Sequence, residues 1–196
     1  MQLPSGLSGK LGCLNNTLLF FKEHLGVIMA LGLIAAFGRV IQLEGFGPIT
    51  PWMNILLEIV VESVRVLLFL YVLGFASIKN GVLRVGRLFT HKDKRKVHWK
   101  IAMQKLKKQR FLLIINLVAF LFLAWVMNYL IDLLAYETCL YLSLKKDGIL
   151  ANAASEWTII LFFKNLSVIP LTLIFDAVLL LWLTNKIRHT IVTAQE

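Results

Sequence analysis

Four long apolar stretches constrain this chain more than any other feature: Leu18–Leu43, Trp52–Ile78, Phe111–Tyr136 and Trp157–Leu183. A helix of roughly 20 apolar residues crosses about 30 Å of hydrocarbon, and each stretch reaches that length. A soluble domain lacks the interior volume to hide so much apolar surface. Hydrophobic residues make up 58% of the 196, above the roughly 45–50% of soluble domains. Within lipid every backbone polar group must be bonded inside the protein, which a helix does by itself. The expected fold is therefore all-α and integral to a membrane, with four transmembrane helices arranged as two hairpins.

Between the hairpins lies Lys79–Arg110, which holds twelve of the 21 Lys and Arg residues against one acid, Asp93. The net charge of +10 is thus the property of one segment. Basic short loops stay on the cytoplasmic side, so this segment fixes the orientation. The first loop, Glu44–Pro51, has no Lys or Arg, and the third sets Lys145 and Lys146 against Glu137, Asp147 and Glu156. Both termini are then cytoplasmic. The layout is 1–17 as an N-terminal cytoplasmic segment, 18–78 as the first hairpin, 79–110 as a basic cytoplasmic helical segment, 111–183 as the second hairpin, and 184–196 as a tail. The first 17 residues are polar and carry no small-residue cleavage site, so the first span is expected to be retained.

Finer features follow from local chemistry. Lys22-Glu23-His24 belongs at the headgroups, leaving Leu25–Leu43 to cross, with Arg39 snorkelling outward. Gly26/Ala30 and Gly32/Ala36 are small residues at helical spacing that allow close contact, within the chain more than between chains. Gly45-Phe46-Gly47-Pro48 is a turn, and Asn80-Gly81 a break. Val82–Phe89 alternates apolar residues with Arg84 and Arg87, as an interfacial helix does. From Val97 a helical pattern runs without a breaker to Tyr136, which predicts one helix about 60 Å long. Its first part would project into the cytosol. Pro170 is expected to kink the fourth span.

Ionisable residues inside the apolar stretches are the strongest functional signal. A lone charge at mid-span costs roughly 2.5–3.5 kcal/mol on insertion scales, so such residues pair or face a polar path. Glu58, Glu62 and Arg65 share one helical face. Asp132, Lys164 and Asp176 complete the set. Counting residues inward from the span ends pairs Lys164 with Glu58 or Asp132 and brings Asp176 toward Arg65. The set is either a polar pathway or a network that fixes helix order and assembly.

The basic segment offers Arg84, Arg87, Lys92, Lys94, Arg95 and Lys96, then Lys100, Lys105, Lys107, Lys108 and Arg110. Each is worth on the order of 1 kcal/mol beside anionic lipid headgroups. The charge exceeds what orientation requires, which points to an acidic soluble protein as a second partner. No RNA- or DNA-binding module accompanies it, so nucleic acid ranks third. No HExxH, GxSxG, Walker loop or zinc-ligand spacing occurs. Cys13 and Cys139 fall on opposite faces of the membrane and cannot pair. The expected protein has no cofactor and no metal, and is not an enzyme.

Chain size, four spans, cytoplasmic termini and the basic insert Lys79–Arg110 together resemble the small four-span membrane subunits of bacterial antiphage defence systems, Kiwa's among them. The resemblance implies an oligomeric inner-membrane sensor that holds a soluble subunit at the cytoplasmic face. The function expected is a non-enzymatic, homo-oligomeric scaffold or sensor. The alternative is a small channel or transporter subunit that uses the intramembrane charges.

Overall fold

The computed structural model describes residues 11–90 and 92–184, with the backbone alone for 87–98 and 101. The described residues form nine α-helices and no strand. They are α1 (Gly12–Glu23), α2 (Leu25–Gln42), α3 (Pro51–Leu73), α4 (Ile78–Thr90), α5 (Lys92–Lys108), α6 (Arg110–Glu137), α7 (Leu140–Lys146), α8 (Glu156–Leu166) and α9 (Val168–Leu183). Three helical stretches are long and apolar enough to cross a membrane: Leu25–Gln42, Arg110–Glu137 and the α8–α9 run Glu156–Leu183. The described residues are all-helical apart from turns and loops, and the chain is a membrane protein. The fourth expected stretch falls on α3, which has the length, 23 residues, but carries Glu58, Glu62 and Arg65 and is not among these three.

Several boundaries follow sequence chemistry. Thr50 accepts a hydrogen bond from the Met53 N–H at 3.3 Å, so it caps α3, and Pro51 fills the first helical position, where a missing N–H costs nothing. Pro170 sits in the first turn of α9, and the helix is interrupted three residues earlier at Ser167. The Ser167 hydroxyl donates to the Phe163 carbonyl at 2.7 Å. The interruption falls next to the Leu166 carbonyl, which Pro170 cannot serve for want of an N–H.

Other boundaries differ. The chain turns at Gly74–Ser77, where Phe75 and Ala76 have φ of 52° and 63°, not at Asn80-Gly81. Gly81 lies inside α4, and a Cβ there would stand 2.0 Å from the Leu70 carbonyl oxygen. At Gly74 the distance to the Ser77 oxygen would be 1.8 Å. The two glycines let the first turn of α4 press onto the last turn of α3. The chain is helical again from Lys92, ahead of the Val97 that the pattern marks, while His91 lies outside the described residues. The single helix expected over Val97–Tyr136 is divided at Gln109 into α5 and α6. Its N–H still bonds the Lys105 carbonyl at 2.8 Å.

The chain divides into two compact units. The first takes in the described residues of 1–23, 69–121 and 173–196. In it Phe120 of α6 stacks on Phe175 of α9, centroids 4.0 Å apart, and Phe20 of α1 meets the edge of Tyr71 of α3. Buried Asn116 of α6 accepts from the Leu14 N–H at 3.0 Å, satisfying one of the donors that the start of α1 leaves open. Cys13 is buried beside it, and burial pushes its thiol up to about 12, against the opposing pull of Lys105.

The second unit comprises 24–68 and 122–172. Here α2 packs along α8. Gly32 lies against the Asn165 carbonyl, 3.1 Å from where a Cβ would sit, and Ala36 is fully buried. This small-residue pair therefore serves contact within the chain. Gly26 has open space around it. Val40, Ile131, Ala135, Leu150, Ala154, Ile159 and Ile160 form the main apolar cluster. The Ala151 N–H bonds the Gly45 carbonyl at 2.7 Å, which ties the α2–α3 turn to the loop before α8.

Candidate functional site: a charged stripe along α3

Glu58, Glu62 and Arg65 do lie on one face of α3, as their spacing requires. Their partners differ from those expected. Arg39 of α2 grips Glu58 with both ends of its guanidinium: Nη1 donates to Oε2 at 2.6 Å and Nη2 to Oε1 at 3.1 Å. Nη2 also reaches Glu62 Oε1 at 3.2 Å. This two-pronged geometry is the strongest form of the ion pair. Gln42, one turn beyond Arg39, donates to Glu58 Oε2 at 2.9 Å and to Asn54 Oδ1 at 3.1 Å.

Arg65 continues the chain inward. Its Nη1 donates to Glu62 Oε1 at 2.5 Å and its Nη2 to Asn165 Oδ1 of α8 at 2.9 Å. Asn165 is buried and gives its own amide proton to the Leu161 carbonyl. Arg65 Nε is buried with no acceptor. A continuous polar chain thus runs from Gln42 and Arg39 through Glu58, Glu62 and Arg65 to Asn165, and joins α2, α3 and α8. Two acids and two arginines balance, so the cluster is neutral.

Its exposure is asymmetric. The side chains of Arg39 and Arg65 are 21% and 22% exposed, whereas those of Glu58 and Glu62 are 48% and 49% exposed. The neighbours Ile55, Ile59 and Val66 on the same face are exposed too. Glu62 is the middle residue of α3. The face of α3 that packs within the chain, with Leu57, Val61, Val64 and Leu68, lies across the helix from Ile55, Ile59 and Val66.

Arg39 is the residue that counting from the span ends missed. It stands three residues from the end of α2, while Glu58 stands seven into α3. Four residues amount to about 6 Å of helix, which an extended arginine spans. Two further expected members of the same unit are not joined to this chain. Lys164 is half-buried and Asp132 partly so, and neither has an ion-pair partner within 4.0 Å among the described residues. Glu58, expected beside Lys164, is held by Arg39. Arg65, expected beside Asp176, is held by Glu62 and Asn165. Asp176 is exposed and belongs to the first unit.

Two members of the basic segment are used internally. Arg84 donates from Nη1 to the Leu73 carbonyl at 2.6 Å and lies 4.6 Å over the Phe75 ring. Lys105 donates from Nζ to the Trp182 carbonyl and lies 4.3 Å over the Trp182 ring. Each cation therefore closes the carbonyl end of an apolar helix, α3 and α9 respectively, where the last carbonyls lack partners and the helix dipole is negative. The aromatic face beneath adds to the attraction. Lys100, Lys107, Lys108 and Arg110 are exposed. The side chains of Arg87, Lys92, Lys94, Arg95 and Lys96 lie outside the described residues. Among the described residues there is no group of three or more His, Cys, Asp or Glu side chains placed to hold a metal.

No family model, curated protein or solved structure matches the chain.

Proposed function

We infer that this protein is a non-enzymatic, self-associating membrane scaffold or sensor of a bacterial inner membrane, with four spans, both termini in the cytoplasm, and a basic segment that recruits a soluble protein. The observation that carries this reading is the α3 stripe. With α3 as the second span, two carboxylates half exposed near its middle would face lipid, at a cost of several kcal/mol. Another protein surface removes that cost. The exposed lysines of α5 supply the recruiting surface, and the resemblance to membrane subunits of antiphage defence systems supplies the kind of task.

Two measurements test this. Purified in detergent, the chain should have the mass of at least two copies and should retain an acidic soluble partner. That partner should be lost when Lys100, Lys107 and Lys108 are changed to Gln. Lys105 is left alone because it closes α9. A monomeric mass would sink the reading. Ion flux in liposomes that disappears with Glu62→Gln would replace it with the channel reading, which the same half-exposed carboxylates favour.

The orientation has its own test, and wild-type protein suffices. Cys139 is exposed and Cys13 is a buried, high-pKa thiol. The reactive species is the thiolate, so only Cys139 should react readily. A membrane-impermeant maleimide added outside intact spheroplasts should label the protein at Cys139. Labelling only after the membrane is opened would invert the topology.

A further inference from the structure

We propose that α4 lies flat in the headgroup layer of the leaflet where α3 ends, with its apolar face in anionic lipid, an inference that rests on α3 being the second span. Three observations set its depth. α3 has 23 residues, about 35 Å of helix, so with Pro51 at one edge of the roughly 30 Å of hydrocarbon, Leu73 stands at the other. The first turn of α4 is locked to that end: a Cβ at Gly81 would stand 2.0 Å from the Leu70 carbonyl oxygen, and Arg84 bonds the Leu73 carbonyl at 2.6 Å. Within the same unit, Lys105 closes the end of α9 at Trp182, and the chain turns apolar at Phe111 of α6. The ends of three apolar helices mark one boundary, and α4 starts at it.

The face that α4 leaves uncovered suits lipid. Ile78 and Val82 stand one turn apart and are 40% and 51% exposed, and half-buried Val85 continues their stripe. The stripe lies to one side of Gly81, the residue that touches α3, so the contact with α3 does not cover it. Lys79 and Asn80 are exposed away from the stripe. Leu83, 47% exposed, also lies away from it, four residues from both Lys79 and Arg87; a single exposed leucine on a polar face is ordinary. α4 carries Lys79, Arg84 and Arg87 and no acid. A cationic amphipathic helix buries its apolar face about 5–10 Å into the headgroup boundary and gains from anionic lipid around its cations. The lock on α3 places the stripe where the bilayer already is, whereas a protein partner would have to displace that lipid. The recruiting surface is then left to α5.

Spin labels on single cysteines test this in the full chain carrying Cys13→Ala and Cys139→Ser, reconstituted in vesicles of phosphatidylcholine and phosphatidylglycerol. Labels at Ile78→Cys and Val82→Cys should favour oxygen, which partitions into lipid, over a water-soluble nickel reagent. The ratio should be several-fold higher than at Asn80→Cys and Leu83→Cys. Val60→Cys, near the middle of α3 and away from its charged face, reports the span itself and should be closed to nickel. With Val60 closed, Ile78 and Val82 labels that are open to nickel, or shielded from both reagents as under a covering protein, would overturn the lipid contact and leave the span standing. A Val60 label open to nickel would overturn both. In vesicles of phosphatidylcholine alone the oxygen preference at Val82 should weaken; a preference that ignores phosphatidylglycerol would overturn the anionic contact.

Discussion

Gly81→Ala should destabilise the detergent-solubilised protein by about 1–3 kcal/mol or more, the cost of forcing atoms into a packed site. The added Cβ would stand 2.0 Å from the Leu70 oxygen and 2.8 Å from its carbon. Both are backbone atoms of α3, so no side-chain rotation relieves the clash. The first turn of α4 must lift away, which also pulls Arg84 from the Leu73 carbonyl. Gly86→Ala on the same helix is the control, because a Cβ there meets nothing within 4 Å. It should stabilise by roughly 0.5–1 kcal/mol, the usual difference between Ala and Gly in a helix. Thermal unfolding of the two purified variants reads the difference. Similar melting temperatures would mean that α4 does not lie against α3 as described.

Arg39→Met should be the most damaging single change in the charged stripe, at about 3 kcal/mol, because it leaves carboxylates uncompensated. Glu58 would lose both prongs of the guanidinium, and Glu62 would keep only Arg65. Arg39→Lys should fall between wild type and Arg39→Met, since an ammonium restores the charge without the fork. Adding Glu58→Gln to Arg39→Met should recover part of the loss, because the orphaned charge is then gone. The contact predicts a coupling of roughly 0.5–3 kcal/mol in that double-mutant cycle. Additive effects would separate the two residues. The neutral pair should still fold, which distinguishes loss of a clasp from loss of the site.

The helical membrane architecture was legible because length and hydropathy are local properties. Leu25–Gln42 and Arg110–Glu137 are nearly the stretches that apolar runs define. The α8–α9 interruption was legible too, since Pro170 lacks a donor wherever it sits. The α3–α4 corner was misplaced, because Asn80-Gly81 reads as a turn on composition alone. Gly81 is instead a glycine of close approach, and its reason is the backbone of Leu70, eleven residues earlier. The extent of α3 suffered from the same limit. Apolar content continues to Ile78, but the chain leaves the helix at Leu73, with Arg84 closing the carbonyl end from the next helix.

The charged stripe divides in the same way. Sequence spacing alone set Glu58, Glu62 and Arg65 on one face, because 3.6 residues per turn allows no other arrangement. It also determined that Lys79–Arg110 carries the charge of the whole chain. Only the tertiary structure decided who pairs with whom. Arg39 reached Glu58 ahead of Lys164 because an arginine covers about one helical turn and the two helices of a hairpin are adjacent. Only the structure, too, decided which half of α3 stays open. Period and composition identify a face, but burial depends on which neighbours arrive. Here Leu57, Val61, Val64 and Leu68 took the inner side and left Glu62 facing out.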